Sequence, residues 1–599
     1  MSGVNDFAFK MATVNGTGSA SANGLLMQAI FRMGIPVSGK NIFPSNIQGL
    51  PTWYEIRVNR DGYMARPEQI DLVVALNTGT YERDVAAVRA GGYLVYDSSW
   101  PLDRSLIRDD VQYLGVPFGQ LCVENFEGDR PRTLLRNIVY TGTLAALFDI
   151  DMDVVGEMLR EKFSKKKALL DANFRAIQLG HDYAMKHFDC PLPIRLERMD
   201  ATRDSIVIDG NTAAALGCVF AGATVGAWYP ITPSTSLMEA YRTFGERYRR
   251  DPDSGQRRYA MIQAEDELAA AGMVIGAGWA GARAFTSTAG PGISLMEEFI
   301  GLAYYGEVPC VFFDVQRTGP STGMPTRTQQ GDLMAIAYAS HGDTKHIALY
   351  PCSPAECFTM ARDAFDLAER YQTPVFVVSD LDIGMNDWMV PRFSWDDAYV
   401  PDRGKVLSAA DLENVKKFAR YTDVDGDGIP YRTLPGVGPK GAYFTRGSGH
   451  DKNAAYTEDS DAYLELVDRI ARKIQGAASA VPAPEVFRQE GASVGLVALG
   501  GTHGALREAL DLLRAQGIGA DYMRIRGFPF AAEVADFLNE HEFVFVVEQN
   551  RDAQLRAMLA IETGVPRDHM IPVLDYGGLP LTAGRVVGAV TAHLEGAAV

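Results

Sequence analysis

The sequence predicts a multidomain α/β protein built on parallel sheets, and three observations carry that prediction. Short apolar runs alternate with helix-length stretches rich in Ala and Gly, and Gly- or Pro-rich turns sit at the junctions. The 599 residues, 47% apolar and 22% charged, supply ample material for buried sheets. A chain this long corresponds to roughly three to five domains.

The elements follow in order. Residues 1–198 open with a strand-like Phe-Ala-Phe-Lys-Met-Ala-Thr-Val, a Gly16-x-Gly18 turn and the helical Leu-Leu-Met-Gln-Ala-Ile-Phe-Arg-Met; further strands are expected at Leu-Val-Val-Ala-Leu and Gly-Tyr-Leu-Val-Tyr. The glycine turn suits a phosphate at a helix start, but the third glycine of a dinucleotide fingerprint is not at the required spacing, so close strand-to-helix packing explains it equally. Residues 204–400 read as repeated β and α elements: Ser-Ile-Val-Ile-Asp, an Ala/Gly helix, the Tyr-Pro turn, Tyr-Ala-Met-Ile-Gln, a second Ala/Gly helix, Ala-Arg-Ala-Phe-Thr-Ser-Thr, a Gly-Pro-Gly turn with its helix, and Val-Pro-Cys-Val-Phe-Phe-Asp-Val-Gln-Arg. Such alternation implies a parallel sheet covered on both faces, with ligands at the carboxyl ends of its strands. Residues 401–490 are poor in periodic pattern and read as a long connection. Residues 491–599 resume with Val-Gly-Leu-Val-Ala-Leu-Gly, a helix from Ala505 to Gln516 and Phe-Val-Phe-Val-Val-Glu-Gln-Asn, a smaller α/β domain.

A net charge of −18 argues against nucleic acid, which requires clustered cations; the longest basic run, Lys165-Lys-Lys167, falls inside a predicted helix and reads as a solvated face. Six scattered cysteines without a Cys-x-x-Cys pair do not announce zinc or an iron-sulfur cluster, and Cys310 in an apolar strand reads as a small core residue. The amino-terminal stretch lacks a secretory pattern, and no apolar run approaches the roughly 18 residues of a membrane span, so a cytoplasmic protein is expected.

Three residues at strand-to-helix junctions are candidates for chemistry. Thr232 stands in Tyr-Pro-Ile-Thr-Pro-Ser-Thr, where Pro230 and Pro233 fix their own φ and push the residues before them out of the α region. This hydroxyl is held still; an ordinary turn with Ser234 or Thr235 as helix cap is the plainer alternative. Glu267 lies in Gln-Ala-Glu-Asp-Glu-Leu-Ala-Ala, where charge gives way to a small-residue helix; burial there would raise its pKa, whereas dipole placement at a helix start fits Glu265, Asp266 and Glu267 alike. Arg317 opens a Gly/Pro-rich loop suited to bidentate capture of a carboxylate, with Arg327 as competitor and an ion pair to Asp314 or Asp332 as the structural alternative. Gly426-Asp-Gly428, with Asn453 downstream, mimics a metal-holding thiamine motif and also a calcium loop. No apolar strand precedes it, and Leu434 stands where a calcium loop needs glutamate, so it reads as a structural acidic turn.

Tyr-Pro-Ile-Thr-Pro-Ser-Thr at 229, Gln-Ala-Glu-Asp-Glu-Leu-Ala-Ala at 263, Thr-Ala-Gly-Pro-Gly-Ile-Ser-Leu-Met-Glu-Glu at 288 and Gln-Arg-Thr-Gly-Pro-Ser-Thr-Gly-Met-Pro-Thr-Arg at 316 together closely resemble the α subunit of 2-oxoacid:ferredoxin oxidoreductases. The amino-terminal region is similar to that family's γ domain, fused in front, and the Val-Val-Glu-Gln-Asn region to its transketolase-C-terminal-like domain. The resemblance implies a thiamine diphosphate shared between a pyrimidine-binding domain here and a separate β subunit. Glu267, nine residues before Gly276, would then bond the pyrimidine N1′, favouring the imino form whose 4′-nitrogen removes the thiazolium C2 proton, with Glu265 as fallback. Pro230 and Ile231 join it as cofactor contacts, Thr232 lies beside the keto acid head, and Arg317 takes the substrate carboxylate. The β subunit would bring the pyrophosphate site, Mg²⁺ and a [4Fe-4S] cluster, form an (αβ)₂ assembly and dock ferredoxin, and coenzyme A would accept the acyl group. The fused γ-α arrangement and Thr-Arg-Thr-Gln-Gln-Gly-Asp-Leu look most like 2-oxoglutarate enzymes, which make succinyl-CoA or carboxylate it in reverse. Pyruvate and branched-chain acids, the β chain of a lipoamide-linked 2-oxoacid dehydrogenase, and a non-catalytic scaffold stay open as alternatives.

Overall fold

A computed structural model describes residues 3–45 and 49–597; Met1 and Ser2, which start the stretch read above for a secretory signal, lie outside it, as do 46–48 and 598–599. The chain divides into two compact units: one holds the described residues up to Ile208 with Asn386–Arg392 and Thr582–Gly584, the other the remainder.

The first unit carries six strands: β1 (Asp6–Val14), β2 (Val37–Ile42), β3 (Pro51–Asn59), β4 (Ile70–Ala75), β5 (Val88–Asp97) and β6 (Gln112–Val116). They form one sheet in the order β2-β3-β1-β4-β5-β6. β1 runs parallel to β4 and antiparallel to β3, so the sheet is mixed. Phe7, Phe9 and Met11 of β1 reach a core closed by helices Ser19–Arg32 and Asp129–Phe148. Helix Asp129–Phe148 crosses helix Lys167–His187 at Gly142 and Gly180, where a Cβ on either residue would collide with a carbonyl of the facing helix. Gly16 and Gly18 both adopt positive φ, and a Cβ on Gly18 would lie 2.6 Å from Leu134 Cδ2, so turn conformation and tight packing both require glycine. Lys165 and Lys166 lie not inside a helix but in the turn between helices Met152–Phe163 and Lys167–His187, both exposed.

The Ser-Ile-Val-Ile segment differs from expectation. It forms β7 (Ser205–Ile208), which joins no parallel sheet; its partner is the antiparallel β14 (Trp388–Pro391), reached after β8 (Val225–Trp228), β9 (Ala260–Gln263), β10 (Ala284–Thr288), β11 (Cys310–Gln316), β12 (Ile347–Leu349) and β13 (Pro374–Asp380).

In the second unit, β8 to β13 run parallel in the order β12-β13-β11-β10-β8-β9. β11 and β13 are buried along their whole length, Cys310 included, as strands covered on both faces must be. A second sheet follows from β15 (Glu485–Phe487), β16 (Val494–Leu499), β17 (Ala520–Ile525), β19 (Phe543–Glu548) and β20 (Met570–Leu574), in the order β15-β17-β16-β19-β20. The short β18 (Gly527–Phe528) instead pairs with β12, and one continuous apolar core runs from Phe312 and Phe376 through Phe528 to Val497 and Val546.

Residues 401–490 hold more order than their composition suggests. Helix Ser460–Gly476 packs Leu466, Ile470 and Ile474 against Tyr304. The Asp423–Gly428 loop is a structural turn: Asp423 accepts from the Gly426 and Gly428 N–H groups at 2.8 and 3.0 Å, while Asp425 and Asp427 pair with Lys405. Among the described residues, no helix is long and apolar enough to cross a membrane.

Candidate active site

The chain places β9 and β10 on opposite sides of β8, so the strand order reverses there, and the loops after β8 and β10 flank the switch point where open α/β sheets bind ligands. After β8, the turn carries Tyr229 and Pro230 exposed and Ile231 and Thr232 half-buried, and the Thr232–Pro233 peptide is cis. Buried Asn211, at the start of helix Gly210–Phe220, pins this turn by donating from Nδ2 to the Pro233 carbonyl and to Ser236 Oγ, both at 2.8 Å.

After β9, three acidic residues stand together and burial separates them. Glu265 and Asp266 are exposed, and Asp266 caps the helix by accepting from the Ala269 N–H at 2.7 Å. Glu267, the first residue of helix Glu267–Trp279, alone turns inward, at 8% exposure. It packs against the first turn of helix Gly290–Tyr305, which follows β10: a Cβ on Gly292 would come within 3.0 Å of Glu267 Cγ and would collide with Thr288 Oγ1. Gly292 therefore leaves room for the Glu267 side chain.

Arg317 follows β11, 8% exposed. Its Nη1 donates to the Thr232 carbonyl at 2.8 Å, while its Nε is buried without a partner. Burial draws the guanidinium pKa down, and the charge of Asp332 counters it. The alternative, an ion pair with Asp314 or Asp332, is not formed: those two acids meet each other instead. The loop beyond is closed by Thr318 N–H to Arg327 O (2.9 Å), Met324 N–H to Thr318 O (3.0 Å) and Gly319 N–H to Gln329 Oε1 (2.7 Å). Arg327 folds back on its own loop, donating to the Thr326 carbonyl at 2.8 Å.

The carboxyl-terminal sheet holds this loop from the far side. Gln330 and Gln549 exchange hydrogen bonds of 2.9 and 3.0 Å, and Asn550 Nδ2 donates to the Gln330 carbonyl at 3.0 Å, so the Val-Val-Glu-Gln-Asn and Thr-Gln-Gln-Gly-Asp segments read separately in the sequence are one clasp. Between them opens a cavity of about 920 Å³, lined among others by Gly290, Pro291, Arg317, Asp332, Asn550 and Tyr576. Glu267 and Thr232 do not line it; Glu267 packs on Gly292, two residues from Gly290, and Thr232 meets the cavity residue Arg317 through its carbonyl.

These residues fit one half of a thiamine diphosphate site. A carboxylate turned inward beside a glycine-lined gap suits a pyrimidine nitrogen, and an unsatisfied buried guanidinium suits a carboxylate. Among the described residues, no cluster of His, Cys, Asp and Glu could hold a metal ion. Sequence reasoning missed Asn211, which carries no motif, and treated Asp314 and Asp332 only as partners of Arg317.

Known proteins resemble the chain in sequence and in fold. The family described as "Pyruvate flavodoxin/ferredoxin oxidoreductase, thiamine diP-bdg" matches residues 216–391, and "Pyruvate ferredoxin/flavodoxin oxidoreductase" matches 8–183. The 2-oxoacid:ferredoxin oxidoreductase 2 subunit alpha of Aeropyrum pernix is 30% identical over 98% of both chains. The 2-oxoglutarate synthase subunit KorA of Methanocaldococcus jannaschii is 34% identical over 57% of this chain and 88% of its own. Among solved structures, the 2-oxoglutarate:ferredoxin oxidoreductase of Magnetococcus marinus, with 2-oxoglutarate, coenzyme A and succinyl-CoA bound, superimposes with a TM-score of 0.89 at 29% identity, covering 98% of this chain and 99% of that one. With a thiamine-binding sheet, a γ-type domain ahead of it and relatives matched from end to end, the chain belongs to the 2-oxoacid:ferredoxin oxidoreductase α subunits.

Proposed function

We propose that the chain is the γ-fused α subunit of a CoA-acylating 2-oxoglutarate:ferredoxin oxidoreductase, converting 2-oxoglutarate to succinyl-CoA and carbon dioxide and running in either direction as the reductant dictates. The observation that carries this reading is the hydrogen bond from Arg317, which lines the cavity, to the Thr232 carbonyl, which joins the two residues proposed for substrate. The similarity to the Methanocaldococcus 2-oxoglutarate synthase subunit and to the Magnetococcus 2-oxoglutarate:ferredoxin oxidoreductase supports 2-oxoglutarate over pyruvate or branched-chain acids.

We assign residues 1–198 as the γ-like domain, 204–400 as the pyrimidine-binding domain, 401–490 as the connection and 491–599 as the transketolase-C-terminal-like domain. Bound thiamine diphosphate supplies the carbon nucleophile and electron sink that decarboxylation of a 2-oxoacid needs. Glu267 holds the proton shared with the pyrimidine ring through its carboxylate, with Pro230 and Ile231 against the cofactor. Arg317 binds the substrate carboxylate through the guanidinium edge that has no protein partner, and Thr232 orients the keto oxygen with its hydroxyl. The pyrophosphate site, Mg²⁺ and a [4Fe-4S] cluster fall to a β subunit in an (αβ)₂ assembly in the cytoplasm, with ferredoxin docking on β. The scattered cysteines of this chain, without a Cys-x-x-Cys pair, are consistent with that division.

Replacing Arg317 by Ala in the assembled enzyme tests the assignment: kcat/KM for 2-oxoglutarate should fall by about two to three orders of magnitude, the loss of a charge-assisted carboxylate contact in a buried site. Thiamine diphosphate affinity should change little. Equal loss of both would reject the substrate role, and ferredoxin reduction with pyruvate but not 2-oxoglutarate would reject the substrate.

A further inference from the structure

Asp314 and Asp332 lie behind Arg317 and have no role in the reading above. Asp314, on β11, is fully buried, and neither of its carboxyl oxygens meets a donor; Asp332 Oδ2 is also buried without one. The neighbour of each is the other acid, and two carboxylates have no hydrogen between them unless one is protonated. One proton therefore sits in the pair. Its location follows from the backbone. A Cβ on Gly290 would lie 2.6 and 2.7 Å from the two Asp332 oxygens, so that carboxyl stands over the first turn of helix Gly290–Tyr305, where a negative charge is favoured. Asp314 keeps the proton and donates it, and Asp332 is the anion. Burial, the Asp332 charge and this hydrogen bond push Asp314 well above the ordinary carboxyl range. Burial raises Asp332 to about 6, while the Asp314 hydrogen bond and Arg317 pull it back.

Asp332 and Arg317 line the same cavity, and the other contact of the guanidinium is a neutral carbonyl. A carboxylate that docks on Arg317 sets a second anion beside one cation. We propose that the Asp314–Asp332 pair, coupled to Arg317 through its charge, takes up one further proton when the carboxylate of a 2-oxoacid binds. The proton comes from solvent through the cavity onto an Asp332 oxygen, and it is released when the carboxylate leaves as neutral carbon dioxide. Nothing is oxidised in this step. It rests on the reading of Arg317 as the carboxylate-binding group.

Other charges near the pair enter the test. On β13, beside β11, Asp380 is raised to about 6 by burial and by Asp382. Across the cavity Arg551 and Asp552 pair with each other, and Glu267 stands beyond Gly292.

The experiment follows KM for 2-oxoglutarate from pH 5.5 to 8.5 in the assembled enzyme. Uptake of one proton predicts a KM that rises by up to about tenfold per pH unit above pH 6. Asp332→Asn should flatten that profile, with KM at pH 8 about ten- to a hundredfold below wild type. Asp380→Asn should keep the wild-type slope. A wild-type KM that does not vary with pH, or an Asp332→Asn enzyme with the wild-type slope, overturns the proposal. Should the variants fold poorly, calorimetric titration of the wild-type enzyme with the unreactive analogue oxamate at pH 7.5, in buffers of different ionisation enthalpy, counts protons directly. Uptake near one supports the proposal and uptake of none overturns it. If Arg317→Ala leaves KM unchanged at every pH, the carboxylate role of Arg317 itself fails. If it raises KM while Asp332→Asn keeps the slope, only the proton step fails.

Discussion

The two ends of helix Gly290–Tyr305 hold opposite kinds of buried charge. Just past its carboxyl end, Glu307 is 1% exposed, with Lys473 Nζ at 2.7 Å and Arg469 Nη1 at 3.0 Å on one oxygen and Arg469 Nη2 on the other. Arg420 donates to its carbonyl at 3.0 Å and stacks over the rings of Tyr421 and Tyr443. One anion meets three cations at the end of a helix that favours them. Burial alone would push the Glu307 carboxyl up, but Lys473 and Arg469 outweigh it and hold it far below the ordinary range. At the amino end two acids face one cation, and atoms of all three lack a protein partner. The first cluster matches both oxygens of its carboxylate and fastens residues 401–490 to the end of this helix, although Arg420 Nε and Nη1 are buried without a partner. The second is open toward a cavity, and unmatched buried groups persist where a ligand completes them.

The largest effect expected from breaking this contrast is at the matched end. Glu307→Gln leaves Arg469 and Lys473 buried without their anion, and the second unit should lose about 3–5 kcal/mol of stability. Thermal unfolding of the variant checks the loss, and kcat/KM per folded enzyme should hold. A loss under about 1 kcal/mol would mean that the cations find other partners, and that the matched cluster is no lock.

At the open end the sign reverses. Asp332 has a folded-state pKa of about 6, above its ordinary 3.8. Its contribution to stability is therefore fully present below about pH 4 and is lost as pH rises through 6. Asp332→Asn cannot ionise, so it should stabilise the chain at pH 7 by up to about 3 kcal/mol and flatten the part of the stability profile that Asp332 controls between pH 4 and 7. Unfolding at pH 5 and pH 7.5 separates the outcomes: a variant no more stable than wild type at the higher pH would mean that Asp332 is matched after all.

The same contrast explains what the sequence made legible. Strands β9, β10 and β11 stand out because apolar runs and small-residue helices alternate around them, and the turn containing Thr232 is marked by its two prolines; β8, β12 and β13 were not read as strands. β2 and β3 escaped notice because their buried positions include Lys40 and Glu55, the latter paired with Arg66 at 2.8 Å and Lys10 at 3.3 Å. Helix Ser460–Gly476 was hidden in the same way, since Arg469 and Lys473 occupy its buried face. Periodicity reads hydrophobicity, so an element that buries matched charges looks like a loop. Glu265, Asp266 and Glu267 could not be separated by composition, because helix starts favour all three; only the fold decides which one turns inward.

The smallest expected effect concerns a residue at neither end of that helix. Asn211 carries no charge, yet its two 2.8 Å hydrogen bonds hold the Pro233 carbonyl and Ser236 next to Thr232, whose own carbonyl receives Arg317. Asn211→Ala leaves a buried carbonyl without its donor, at about 1–3 kcal/mol, and frees the turn rather than the charge. If the turn aims the Thr232 hydroxyl, kcat/KM for 2-oxoglutarate should fall by about tenfold, equivalent to about 1.4 kcal/mol of transition-state stabilisation, while thiamine diphosphate affinity and the pH profile of KM stay as in wild type. A variant that loses stability but keeps kcat/KM would assign Asn211 to folding, and the orientation of Thr232 would then rest on the prolines and Arg317 alone.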